Sequence, residues 1–271
     1  MIAEAGQRLV EAGISNGRQE ARWMMAEIIS QHPLCHGGCE LPEECFQSFS
    51  SQLERRLRGE PLQYVMGSAA FHCIELVVGS GVLIPRPETE QLVEIALGIC
   101  ATDARVLDLC TGSGAIALAM ATKRPQAHFT GVDISEEALG YARLNQKRLG
   151  LANVDFLHGD LYSPLPQGQG YSLITANPPY VSEGDYAGLE SVVRDYEPKL
   201  ALLAGADGLA VIRRIAERAG EFLEPGGSIL SEIGEEQGRA VQEIFQRAHF
   251  RNVRILKDYS EKERFVMACK E

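Results

Sequence analysis

The chain has 271 residues, 45% hydrophobic and 23% charged, with 26 Lys and Arg against 37 Asp and Glu for a formal charge of −11. That balance is the reverse of what a protein gripping nucleic acid mainly through its phosphates needs, and the acid excess is spread along the chain, so no basic arm hides in the average. Apolar stretches such as 106–109 and 115–120 fall well short of the ~18 residues of a membrane span, and the N-terminus MIAEAGQRLVEAG lacks a basic region followed by an apolar block, which predicts a cytoplasmic protein of one large or two smaller domains.

The first 60 residues read as three short helices packed as a bundle. Ile2, Leu9 and Val10 mark the first. Ser15 is the expected N-cap of a second that carries Ala21, Met24, Met25, Ile28 and Ile29, with Trp23 in the bundle core; Phe46, Phe49, Leu53 and Leu57 mark the third. Gly59-Glu60-Pro61 ends that helix. Short β-like runs at 63–66, 71–78 and 82–84, punctuated by Gly67, Gly79 and Gly81, then predict a β-hairpin connector. From Pro87 onward strands at 105–109, 128–132, 154–158, 172–176 and 227–233 alternate with helices at 115–122, 135–149, 209–222 and 235–248, and two more strands follow around 253–256 and 264–268. Alternation of this kind predicts an α/β fold with a mostly parallel seven-stranded sheet covered on both faces. The expected boundaries are 1–62 for the helical domain, 63–86 for the connector and 87–271 for the α/β domain.

The cysteines, Cys35, Cys39, Cys45, Cys73, Cys100, Cys110 and Cys269, are odd in number and scattered, which argues against a disulfide framework and fits a reducing compartment. His32, Cys35, His36, Cys39 and Cys45 gather soft donors, but no CxxC pair is present, so they read as small residues of a Pro/Gly-rich loop and no metal site is expected. His72, His128, His158 and His249 have no acid at a recognisable spacing and receive no catalytic role.

The strand at 105–109 runs into Asp108-Leu-Cys-Thr111-Gly112-Ser113-Gly114-Ala115. Glycines here let a ligand approach the backbone, and the following helix offers its first N–H groups. Cys110 inside this turn is expected to pack rather than react. Asp133, 19 residues after Gly114, ends the second strand and can accept both ribose hydroxyls of an adenosine moiety. A nicotinamide cofactor and S-adenosylmethionine both satisfy these features.

Asn177-Pro178-Pro179-Tyr180, directly after the fourth strand, separates them. Two successive prolines remove two backbone donors and fix both φ angles, so the carbonyls are held rigidly. The Asn177 side-chain oxygen and the Pro178 carbonyl can each accept one N–H of a planar –NH2 group while the Tyr180 ring stacks on its plane. Holding both N–H bonds toward acceptors favours a pyramidal nitrogen whose lone pair faces a sulfonium methyl, and in-line positioning does the rest. An oxidoreductase leaves this motif without a purpose.

The chain resembles the release factor glutamine methyltransferases, the PrmC/HemK family of class I S-adenosylmethionine-dependent enzymes. The resemblance covers residues 60–271, with the helical N-terminus matching less specifically, and its motifs are Gly59-Glu-Pro-Leu-Gln63-Tyr64, Leu83-Ile-Pro85-Arg86-Pro87-Glu88-Thr89-Glu90, the glycine turn, Asn177 to Tyr180, and Val193-Arg194-Asp195-Tyr-Glu197-Pro198. NPPY alone is shared with DNA adenine methyltransferases and several RNA enzymes. IPRPETE with RDYEP is far more specific, and separates the chain from sister enzymes that modify a glutamine of a ribosomal protein.

The resemblance implies a class I methyltransferase, Rossmann-like sheet and N5-methylation of the glutamine in the Gly-Gly-Gln motif of class 1 peptide chain release factors, with S-adenosylhomocysteine as product. In this chain Thr111, Gly112, Ser113, Gly114 and Ala115 would line the methionine and ribose part of the cofactor, Asp133 would bind the ribose, and Asp160 and Leu161 would flank the adenine, Leu161 as a plain apolar contact. Asn177, Pro178, Pro179 and Tyr180 would hold the target amide, Asn177 also bordering the cofactor, while the helical domain docks the release factor. Arg86, Glu88, Arg194 and Glu197 read equally well as surface ion pairs, and Glu60 and Gln63 as residues that order the connector. A nucleic-acid amine is the rival target; base flipping calls for a basic groove, and neither nucleic acid nor membrane is expected as a partner. A non-enzymatic translation-associated binding module would use the same fold.

Overall fold

The computed structural model describes residues 1–31 and 42–271. His32, Cys35, His36 and Cys39 therefore lie outside the described residues, and Cys45 is buried in the N-terminal helical core. The residues form two compact units, Met1–Ser68 with Glu190–Tyr196, and Ala69–Leu189 with Glu197–Glu271.

In the first unit α1 (Ile2–Glu11), α2 (Gly17–Gln31) and α3 (Glu43–Leu57) bury Leu9, Met24, Met25, Ile28, Phe49 and Leu53, and α4 (Leu62–Met66) adds Val65. The expected positions of Ser15 and Trp23 are corrected. Helix α2 starts at Gly17, one residue later than a Ser15 cap would place it, with the Asn16 carbonyl receiving the Gln19 and Glu20 N–H groups. Trp23 is 45% exposed. At about 100° per residue it points away from the face shared by Ala21, Met24, Met25 and Ile28, so the Trp-Met-Met run cannot all turn inward. The β-like run at 63–66 is also corrected, because Pro61 opens a single helical turn that Gly67 closes at φ +78°. Arg55 holds that turn by donating to the Glu60 carboxylate and to the Tyr64 carbonyl at 2.9 Å, so Glu60 orders this segment. From the later chain, the Tyr196 hydroxyl donates to the Arg58 carbonyl at 2.8 Å.

The chain continues through β1 (Ser68–Phe71), β2 (Ile74–Val77), α5 (Pro87–Ile99), β3 (Arg105–Leu109), α6 (Ala115–Lys123), β4 (His128–Asp133), α7 (Glu136–Leu149), β5 (Val154–His158) and β6 (Tyr171–Ala176). It then forms α8 (Glu183–Tyr186), α9 (Ser191–Arg194), α10 (Ala210–Phe222), β7 (Leu223–Glu232), α11 (Gly238–Arg247), β8 (Arg251–Lys257) and β9 (Glu263–Cys269). Strands β1 and β2 make the hairpin; residues 82–84 form no strand, and the Ile84 N–H bonds instead to the Glu197 carboxylate at 3.2 Å. Helix α5 is an element the strand pattern did not announce, and it buries Thr89, Leu92, Val93 and Ala96.

The main sheet has seven strands in the order β5-β4-β3-β6-β7-β9-β8, parallel except for the pairings of β9 with β7 and β8. In β3, Val106, Leu107, Asp108 and Leu109 are all buried. Successive side chains point to opposite faces, so both faces of this strand are covered, as in doubly wound α/β folds. Among the described residues no helix is long and apolar enough to cross a membrane.

Candidate active site

Strand order reverses at β3, which leads outward to β4 and β5 on one side and to β6 and β7 on the other. Ligands of open parallel sheets bind in the crevice beyond the strand C-termini at such a point. The register pairs Leu109 with Val132 and with Ala176. The glycine turn after β3, Asp133 at the end of β4 and Asn177 after β6 are thereby brought to one edge.

The turn is held from both sides. Gly112 and Gly114 sit at φ +56° and +82°, and a Cβ on Gly114 would lie 2.8 Å from Leu118 Cδ1 and 3.0 Å from Phe156 Cζ. Asp133 accepts the Gly112 N–H at 2.8 Å and the Ser135 N–H at 2.9 Å. Fully buried Asp108 accepts the hydroxyls of Thr111 at 2.6 Å and Thr175 at 2.8 Å. Burial pushes Asp108 up to about 6 against the pull of those hydrogen bonds, and raises Asp133 as well. Asn145 donates to the Ser113 and Val77 carbonyls, both at 3.1 Å, which fastens the turn to the hairpin.

A cavity opens at this edge. Of the residues predicted from the sequence, Thr111, Gly112, Ser113, Ala115, Asp133, Asp160, Leu161, Asn177 and Pro179 line it. Gly114, Pro178 and Tyr180 do not. Gly114 shapes the turn, Pro178 is buried, and the Tyr180 hydroxyl is directed to Glu232 Oε1 at 3.5 Å, with burial raising the phenol far above its usual range. Asp160 is paired with Arg214 Nη2 at 2.7 Å, and Leu161, at φ +50°, is buried beside it. Sequence reasoning left out Val82, Leu83, Pro85, Thr89, Ile134, Leu200 and Leu203, which also line the cavity. Two of these, Pro85 and Thr89, belong to the IPRPETE string, and neither carried an assigned contact. The return of the chain after NPPY is stapled by the Val181 N–H to the Leu202 carbonyl at 2.8 Å and the Ala204 N–H to the Val181 carbonyl at 2.9 Å.

The charged groups on the cavity wall are Asp133, Asp160 and Arg214. Cys110, at φ +57°, has its thiol pushed well above the usual range by burial and by the surrounding Asp133, Asp108 and Asp160, so it stays a neutral thiol and packs against the core. On the cavity wall Asp160 is paired with Arg214, so the net charge there comes from Asp133, with fully buried Asp108 behind the wall. Such a site suits a cation and repels a pyrophosphate. None of His72, His128, His158 and His249 lines it, and among the described residues no group of three or more His, Cys, Asp or Glu is arranged to hold a metal ion.

Beside the cavity the Asn177 Nδ2 donates to Thr89 Oγ1 at 3.2 Å, and the Thr89 hydroxyl donates to Glu232 Oε2 at 2.7 Å. The two family motifs are joined by an ion pair across the fold, Arg86 Nη2 to Glu197 Oε1 at 2.6 Å, with the Glu197 side chain 1% exposed. This pair is internal, whereas Arg194 pairs with its neighbour Asp195 at the surface.

Residues 1–67 match the family model described as the PrmC N-terminal domain, and residues 101–263 match one described as a methyltransferase domain. A release factor glutamine methyltransferase of Thermodesulfovibrio yellowstonii is 43% identical over 85% of this chain and 84% of its own. That of Vibrio cholerae serotype O1 is 42% identical over 98% of this chain and 94% of its own, and that of Escherichia coli K12 is 38% identical over 89% and 90%. Among solved structures, a methyltransferase from Pyrococcus furiosus shares the fold, with a TM-score of 0.56 over 82% of this chain and 98% of its own at 18% identity. Relatives of this similarity span nearly the whole chain, and the chain belongs to the release factor glutamine methyltransferase family, on a class I methyltransferase fold.

Proposed function

We propose that this protein methylates the side-chain nitrogen, N5, of the glutamine in the Gly-Gly-Gln motif of class 1 peptide chain release factors, in the cytoplasm, with S-adenosylmethionine as donor. The donor set of the cavity fits that cofactor: the glycine turn and the Asp133 carboxylate for its polar, cationic part, and apolar surface from Ile134 and Leu161 for its base. Thr111, Gly112, Ser113 and Ala115 would lie along its methionine and ribose part, shaped by Gly114, with Asp133 toward the ribose and Asp160 and Leu161 beside the adenine. S-adenosylmethionine supplies an electrophilic sulfonium methyl when bound and leaves as S-adenosylhomocysteine.

The remaining work is positional. Asn177 Oδ1, on the cavity wall, and the Pro178 carbonyl would accept the two N–H bonds of the glutamine amide, while Pro179 fixes the turn and Tyr180, outside the cavity lining, holds it through Glu232. Both acceptors withdraw the nitrogen lone pair from conjugation, and the surplus proton leaves after transfer, so no general base is needed before it. The N-terminal helical unit docks the release factor, supported by the match of residues 1–67 to the PrmC N-terminal domain.

The observation that carries this reading is Asn177, tethered through Thr89, on the wall of the cavity that the glycine turn and Asp133 also line. The acid excess of the chain, 37 Asp and Glu against 26 Lys and Arg, disfavours a nucleic-acid target. Transfer of labelled methyl from S-adenosylmethionine to intact release factor, with DNA and RNA as parallel acceptors, tests it: label is expected in the protein alone, and label in nucleic acid would reverse the assignment.

A further inference from the structure

We propose that Glu232, acting through Thr89, is a positioning residue that fixes which end of the Asn177 amide faces the cavity. The proposal rests on the reading of Asn177 as an acceptor for the target amide. A threonine hydroxyl has one proton to give. In Thr89 that proton goes to Glu232 Oε2 at 2.7 Å, so toward Asn177, 3.2 Å away, Thr89 Oγ1 can only accept. Asn177 must therefore present its NH2 to Thr89, and its carbonyl oxygen is the part left for the cavity. Were the Thr89 proton free, the two ends of the amide would be nearly interchangeable, and the flipped form would offer the glutamine N–H groups a donor where an acceptor is required.

The second carboxylate oxygen of Glu232 receives the Tyr180 hydroxyl at 3.5 Å, so one ionised group restrains both flanks of the NPPY turn. Glu232 ends β7 and is 1% exposed. Facing it are Thr89 and Glu88 from α5, Tyr180 from the turn after β6, and Arg264 from β9, whose guanidinium is shared with Asp258 at 3.2 Å. Burial and Glu88 raise the carboxyl while Arg264 and the two hydroxyls lower it, and the balance lies at about 7. Above that pH Glu232 accepts from both partners. Below it the carboxyl carries a proton of its own, competes as a donor, and frees Thr89 to turn its hydroxyl toward Asn177. The tether should loosen as pH falls.

The test uses the full-length enzyme, an intact class 1 release factor as acceptor and S-adenosylhomocysteine as binding probe. Thr89→Val, which keeps shape and removes the hydroxyl, is expected to lower kcat about 10- to 100-fold while the S-adenosylhomocysteine dissociation constant stays within about twofold, and Thr89→Ser to restore most of the rate. Wild-type kcat should rise with pH through about 7, and that step should vanish in Glu232→Gln. A Thr89→Val enzyme with wild-type kcat, or a pH step that survives in Glu232→Gln, overturns the proposal. Failure of the functional reading is distinguished by a second readout: the side-chain amide signals of isotope-labelled Asn177 in the wild-type protein with S-adenosylhomocysteine should titrate across the same range. Signals flat through about pH 7 overturn the tether even if the variants do not fold or no release factor is methylated.

Discussion

Glu197→Ala should expose how much the second unit depends on the pair that joins its two family motifs. The Glu197 side chain is 1% exposed and Arg86 29% exposed, and the carboxylate also accepts the Ile84 N–H. Removing one partner of a buried pair costs ~3–5 kcal/mol, of which water reaching the partly open guanidinium recovers some. The orphaned Ile84 N–H adds ~1 kcal/mol, so the expected loss is ~3–4 kcal/mol. Denaturation should be followed by far-UV circular dichroism, because Trp23, the sole tryptophan, belongs to the first unit. With a urea slope of ~2–3 kcal/mol/M the midpoint of the second unit should fall by ~1–2 M with the slope unchanged. Since Val82, Leu83 and Pro85 line the cavity next to Ile84, S-adenosylhomocysteine should also bind more weakly. Glu221→Ala, at the exposed pair with Arg218 in the same unit, is expected to leave the midpoint in place. A Glu197→Ala midpoint equal to wild type would mean that the buried pair contributes no more than a solvated one.

Asn177→Ala should keep S-adenosylhomocysteine affinity within about threefold and cut kcat by ~10²–10³, as for loss of one preorganised partner of the reacting group; calorimetry and single-turnover methylation separate the two quantities. Asp108 has a folded-state pKa of about 6, raised rather than depressed, so ionising it costs the folded state. Its contribution to stability falls as pH rises from ~4 to ~6 and the full cost of ~3 kcal/mol persists above, which means that wild type should lose about this much relative to Asp108→Asn between pH 4 and 7. A stability difference that is the same at both pH values would contradict this. Gly114→Ala combines left-handed strain of ~1 kcal/mol with overpacking against Leu118 and Phe156 of ~1–3 kcal/mol, and thermal unfolding should show it as one of the more damaging single-methyl additions in the second unit.

The strands and helices that position the site were legible wherever one element decides its own fate. Strand β3, with four successive buried residues, and α7, opened by Ser135 whose side chain accepts the Ala138 N–H, follow from local pattern. The misreadings fall where a distant partner decides. Residues 82–84 have strand composition, but the Ile84 N–H is taken by Glu197, 113 positions away, so no ladder forms. The run at 63–66 is too short for periodicity to tell a helical turn from a strand, and Pro61 and Gly67 settle it. Helix α5 carries an ordinary apolar stripe at Leu92, Val93 and Ala96 that the charged PRPETE string conceals.

The site divides in the same way. Glycines, Asp133 and NPPY announce themselves because backbone geometry requires those residue types. Thr89 and Glu232 do not, since a threonine in the first turn of a helix and a glutamate at a strand end have ordinary reasons to be there. Only the 143-residue sequence separation closed by their 2.7 Å hydrogen bond reveals their connection to Asn177.

Tandem mass spectrometry of the Gly-Gly-Gln peptide from an intact class 1 release factor, after incubation with this protein and S-adenosylmethionine, tests the proposed glutamine methylation most directly. The glutamine side-chain nitrogen should gain the mass of one methylene, dependent on Asn177. An unmodified glutamine, or a methyl group placed on another residue, would contradict it.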